Sequence, residues 1–64
     1  MSKLEQFDAI LNSVWNGQYR QALSFAEKLD GYEIAELIDY IAFEASDVDA
    51  ALSFCKAWFR HKAR

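Results

Sequence analysis

Proline is absent from the 64 residues, cysteine occurs once, at Cys55, and glycine twice, at Gly17 and Gly31. A single cysteine excludes an intrachain disulfide. One cysteine and one histidine, His61, cannot supply the ligands of a structural zinc site without help from carboxylates. No apolar run approaches the roughly 18 residues that span a bilayer, so no membrane association is expected. The opening residues, Met-Ser-Lys-Leu-Glu-Gln-Phe-Asp, lack the unbroken apolar stretch of a signal peptide, and a cytoplasmic location is the expectation. Phosphate-binding glycine loops and metal motifs are missing too, and no cofactor is expected.

What is plentiful is apolar. Hydrophobic residues make up 53% of the chain and aromatics 16%, too many for a disordered acidic segment. The length permits one domain, 1–64. A domain of this size hides only about 60% of the surface that its unfolded chain exposes. With disulfides and zinc set aside, stability has to come from helix packing or from association.

Few turn residues make the punctuation plain. Asn16-Gly17, Asp30-Gly31 and Ser46-Asp47 divide the chain into four segments of typical helix length. Within them apolar residues recur at three and four rather than alternating, which predicts helices and not strands. Ser2 with Glu5 forms a capping-box pattern before the stripe Leu4, Phe7, Leu11, Val14, widened by Ile10 and Trp15. The second segment groups Tyr19, Ala22, Leu23, Ala26 and Leu29; the third groups Ile34, Leu37, Ile38, Ile41 and Ala45. The fourth opens with Ser46 and Asp49 as a cap-like pair and carries the stripe Val48, Ala51, Leu52, Cys55, Phe59. The expected fold is all-α: four short helices arranged as two helix-turn-helix hairpins.

An internal repeat supports the hairpins. Tyr19–Leu29 aligns without gaps on Val48–Trp58, and both contain Ala-Leu-Ser-Phe, at an offset of 29 residues. Asn16–Leu29, with Gly17 and Tyr19 ahead of Ala22, resembles the second helix of a tetratricopeptide repeat, where such an alanine lets paired helices approach closely. Ser46–Trp58 resembles it more weakly, with Val48 in the aromatic position. The resemblance covers under half of the chain and implies stacked helical hairpins that bind a peptide. In size, acidity and helical character, though in no motif, the chain also resembles accessory proteins of lambda-like phages, which implies a host protein as its partner.

Catalytic chemistry finds little support. Cys55 falls on the apolar stripe of the fourth segment, where burial would keep its thiol protonated and inert. His61 stands between Arg60 and Lys62 and reads as a solvated cation at the helix end. Glu36 with Asp39, one turn apart, reads as an acidic helix face. No enzyme activity is expected.

Charge is strongly segregated. Glu27–Asp49 holds eight acids and one base, Lys28, whereas Lys56–Arg64 holds four bases and no acid. Nucleic-acid binding would need the start of the fourth segment to approach the bases, and Asp47 and Asp49 stand there. Direct binding is therefore not expected; Arg60, Lys62 and Arg64 remain the candidates for a salt-sensitive contact in the alternative reading of a nucleic-acid-associated regulator.

Aromatic rings exceed what one small core needs. Tyr32, Tyr40 and Phe43 lie off the aliphatic face of the third segment, interleaved with Glu36 and Asp39. They belong either to an exposed interface or to a helix buried on all sides. Phe54 and Trp58, an i,i+4 pair flanked by Ala50 and Ala57, sit beside the main stripe of the fourth segment, and Trp58 also has a place open to it in the core. The expected partner-binding residues are Glu36, Asp39, Tyr40, Phe43, Phe54 and Trp58, acting through protein–protein contact in a small regulatory protein. The surplus rings also predict a homodimer.

Overall fold

The computed structural model describes residues 2–63. Their order is α1 (Lys3–Trp15), α2 (Tyr19–Ala26), α3 (Gly31–Asp39), a π-helical turn (Tyr40–Glu44) that continues α3, and α4 (Val48–Lys62). No strand occurs among the described residues, and the all-α architecture of four helices is what forms.

Local chemistry sets most boundaries. Ser2 Oγ accepts the Glu5 N–H at 3.2 Å while the Glu5 carboxylate accepts the Ser2 N–H at 3.3 Å, completing the expected capping box. α1 ends in a Schellman motif: the Gln18 N–H reaches the Ser13 carbonyl at 2.8 Å and the Gly17 N–H reaches Val14 at 3.0 Å. Gly17 takes φ +74°, a conformation that costs a residue without Cβ little. α3 begins on a second capping box, Asp30 with Glu33, where sequence had suggested only a break.

The far end of α3 is less regular. The Ala45 N–H reaches back to the Tyr40 carbonyl at 3.0 Å and the Asp47 N–H to Ile41 at 3.1 Å, so the last turn is wider than an α-turn. Ser46 then adopts φ 54°. It is therefore Asp47, not Ser46, that caps α4, accepting the Ala50 N–H at 3.0 Å.

α4 packs against α1, α2 and the α3–π segment, and so occupies the centre of the molecule. The core joins Phe7, Ile10, Leu11 and Val14 of α1 to Ile34, Leu37 and Ile41 of the third segment. Ala22 and Ala26 of α2 are fully buried, which lets that helix lie close to its neighbours. Leu4 and Trp15, expected in the α1 stripe, stay exposed at the helix's two ends.

Of the stripe expected on the fourth helix, only Ala51 lies in the core. Ala50, Ala51 and Phe54 point inward, and Phe54, 0% exposed, is the largest fully buried side chain. Burying a ring of this size contributes about 2–3 kcal/mol. Val48, Leu52 and Phe59 point outward instead, and Cys55 is half-buried rather than a core residue. The cause is steric. With three segments pressing on α4, its inner arc needs small residues for close approach and one bulky ring to fill the centre. Ala50, Ala51 and Phe54 meet that requirement.

Candidate functional site: an acidic aromatic face on α3

Of the six side chains expected to bind a partner, four come together. Glu36, Asp39, Tyr40 and Phe43 line a shallow furrow with Phe7 and Glu44. α3 turns Ile34, Leu37 and Ile41 to the core, leaving Tyr32, Glu36, Asp39 and Phe43 along the opposite side at spacings of four, three and four. Phe43 is 76% exposed, and Tyr32 is as open to solvent. The third segment is thus not buried on all sides.

Two contacts with α1 hold the furrow's walls. Lys3 Nζ lies 3.2 Å from Glu36 Oε1, and the Tyr40 hydroxyl donates to Asp8 Oδ1. The Tyr40 ring lies against Phe7, with centroids 5.7 Å apart, so its body is half-buried while its hydroxyl reaches the rim. The hydrogen bond to Asp8, followed by desolvation and the charges of Asp8 and Glu44, raises the phenol above its usual range. Asp39 and Glu44 are exposed and form no ion pair among the described residues. The result is an anchored tyrosine and a projecting phenylalanine amid carboxylates.

Phe54 and Trp58 belong elsewhere. Phe54 is a core residue, a correction to its expected place in an interface. Trp58 is half-buried and stacks on it at 6.3 Å between centroids, with the rings inclined by 18°. Ala50, expected beside an exposed Phe54, is buried as well.

The basic end of α4 is tied back to α2. His61 Nε2 lies 2.7 Å from Glu27 Oε1 and Lys62 Nζ lies 3.5 Å from the same oxygen. Lys62 also sits 5.2 Å above the Trp58 ring. The His61 hydrogen bond, ahead of the Lys62 charge, holds the Glu27 carboxyl below the ordinary range. His61 is therefore half-buried and paired rather than freely solvated. Arg60 lines an α2–α4 groove together with Arg20 and Lys56, and none of these three is paired among the described residues. Sequence reasoning missed Arg20, which belongs to a different helix from the basic tail. Arg64 lies outside the described residues.

The internal repeat has a structural counterpart. Ala22 and Ala51 align and both are buried, and the aligned Ser24 and Ser53 face each other's helices across the α2–α4 groove. The match fails at the ring: Phe25 is half-buried where Phe54 is enclosed.

No group of three or more metal-ligating side chains occurs among the described residues, and no described helix is long and apolar enough to cross a membrane. Comparison with protein-family models, curated proteins and solved structures returns no match to this chain.

Proposed function

We propose that the protein is a non-enzymatic interaction module that regulates a larger protein by docking through the outer face of α3. The observation that carries this reading is Phe43, 76% exposed within a furrow whose other walls include Glu36, Asp39 and Glu44. A solvent-facing ring gains free energy only when something covers it, and single aromatic anchors supply much of the affinity at protein interfaces. The surrounding carboxylates select a basic partner segment and speed its encounter. The π turn that carries Tyr40, Phe43 and Glu44 fits the reading, since such turns recur at functional sites.

The test compares proteins retained by the immobilised wild type with those retained by Phe43→Ala and by Glu36→Lys/Asp39→Lys. A partner lost from Phe43→Ala, and weakened by salt for the wild type, supports the reading. Identical retention by all three chains overturns it.

One observation favours a second reading, that of a nucleic-acid-associated regulator. Arg20, Lys56 and Arg60 converge unpaired on the α2–α4 groove of an otherwise acidic molecule. Titration with duplex DNA at low salt tests it. Binding that weakens in proportion to about two or three released counterions on adding salt is the outcome that this reading requires.

A further inference from the structure

Of the stripe that hydrophobic periodicity marks for burial on α4, the fold buries Ala51 and leaves Val48, Leu52 and Phe59 outside. Val48 is 56% exposed, Leu52 54% and Phe59 70%, with half-buried Cys55 among them. Their spacing of four, three and four residues is the alternation of a coiled-coil seam. At 3.6 residues per turn they fall within an arc of about 60°, turned roughly 130° away from Phe54. No other described helix covers this arc.

We infer that α4 is the seam of an antiparallel homodimer, the stripe of one copy packing on the same stripe of a second. Charge selects both the occupant and its direction. Asp49 and Lys56 flank the stripe on the same edge, seven residues apart, and neither is paired among the described residues. In an antiparallel pair like edges meet, so Asp49 of each copy faces Lys56 of the other, twice over by symmetry. A parallel pair would instead place the acidic starts of both helices, Asp47 and Asp49, side by side.

Side-chain size agrees with the same register. Centring the pair between Leu52 and Cys55 sets Leu52 opposite Cys55 and Val48 opposite Phe59. Each layer then combines a larger with a smaller side chain, which fills the seam evenly. The stability argument points the same way, because a domain this short buries only about 60% of its unfolded surface and covering the stripe adds to that. Three helical turns on each side make an interface near the lower end of the specific range, so dissociation at micromolar concentration is the expectation. None of the seam residues lines the α3 furrow.

Light scattering from low to high micromolar protein tests the seam. The expected mass rises with concentration from 7.4 kDa to twice that value. Leu52→Glu and Phe59→Glu, both at exposed positions and checked for unchanged helicity, should each weaken dimerisation at least about tenfold. Asp49→Lys and Lys56→Asp should each weaken it alone, because like charges then meet at both symmetry-related contacts. Mixing the two variants restores opposite charges and should recover dimerisation. Thiol labelling of Cys55 should slow as the protein is concentrated. A 7.4 kDa species at every concentration, or a dimer indifferent to Leu52→Glu and Phe59→Glu, overturns the proposal. Failure of the mixture to recover overturns the antiparallel arrangement.

Discussion

Trp15, the last residue of α1, donates its indole N–H to Asp47 Oδ2 at 2.7 Å, while Oδ1 of the same carboxylate accepts the Ala50 N–H at 3.0 Å. One side chain thus caps α4 and ties its start to the end of α1. The backbone hydrogen bond from Ala50, followed by that from Trp15, holds the Asp47 carboxyl below its ordinary range.

This arrangement predicts an acid-dependent loss of stability. A carboxyl whose folded-state pKa is depressed contributes fully above its unfolded value of 3.8, and the contribution disappears as pH falls through the lower folded value. Thermal melts should therefore show the wild type losing more stability between neutral and strongly acidic pH than Asp47→Asn does. Asp47→Ala should lower Tm by several degrees at neutral pH, and Trp15→Phe by less, because it leaves the cap in place. Equal acid sensitivity of wild type and Asp47→Asn would refute the assignment.

Two phenylalanines make opposite predictions. Phe54→Ala should cost about 3–5 kcal/mol, the range for removing an enclosed ring. A core this small supplies only about 3–5 kcal/mol in total. That variant should accordingly be largely unfolded by circular dichroism at room temperature. Phe43→Ala should change stability by no more than about 0.5 kcal/mol, since its ring lies in solvent. Any partner lost by Phe43→Ala is then lost from a folded protein.

Sequence left Phe43 open between an interface and a helix buried on all sides and placed Phe54 outside the core, and the helices that carry the two rings explain both. α3 turns Ile34, Leu37 and Ile41 to the core, and the residues opposite to them, Phe43 among them, face outward because no other segment covers that side. α4 offers two stripes, Val48, Ala51, Leu52, Cys55 and Phe59 or Ala50, Phe54 and Trp58, and Ala51 on the border between them is buried. Periodicity favours the more hydrophobic one. Close packing chooses the alanine-flanked one, because three neighbouring segments must approach the helix at once. The boundaries were legible where short-range chemistry sets them, as at Ser2–Glu5 and Gly17. The π turn and the Ser46 conformation were not, since they arise from joining α3 to α4 at an angle that no local pattern encodes. The α2–α4 groove escaped for a similar reason: Arg20 and Arg60 are 40 residues apart and meet only through the packing of their helices.

Ser46 offers a stabilising substitution. Its φ of 54° lies in the left-handed region, which costs a residue with a Cβ roughly 1–2 kcal/mol. Its hydroxyl offsets little of this, lying 3.4 Å from the Phe43 carbonyl. Glycine removes the steric penalty but loses more backbone freedom on folding, by roughly 0.5–1 kcal/mol. Ser46→Gly should thus raise stability by about 0.5 kcal/mol, measurable by urea unfolding with an unchanged m-value. Ser46→Val should do the reverse, because a branched side chain fits this conformation worst.

The last prediction concerns Tyr40, whose ring packs on Phe7 and whose hydroxyl donates to Asp8. Ionising this phenol would break the hydrogen bond and set a phenolate beside the carboxylates of Asp8 and Glu44, so its folded-state pKa is raised from 10.0. For a raised group the contribution to stability is complete below the unfolded value and is lost as pH rises through the folded one. Tyr40 should hence ionise late, above the ordinary tyrosine value of 10.0, as a late phase in the ultraviolet absorbance of phenolate. Tyr40→Phe should abolish that phase while keeping the ring's packing. Asp8→Asn should move it to lower pH by removing the nearest charge. The same two variants should weaken docking at the α3 furrow less than Phe43→Ala does, because Tyr40 shapes the wall and Phe43 projects from it. A late phase that survives Tyr40→Phe would show that the hydrogen bond to Asp8 is not what delays ionisation.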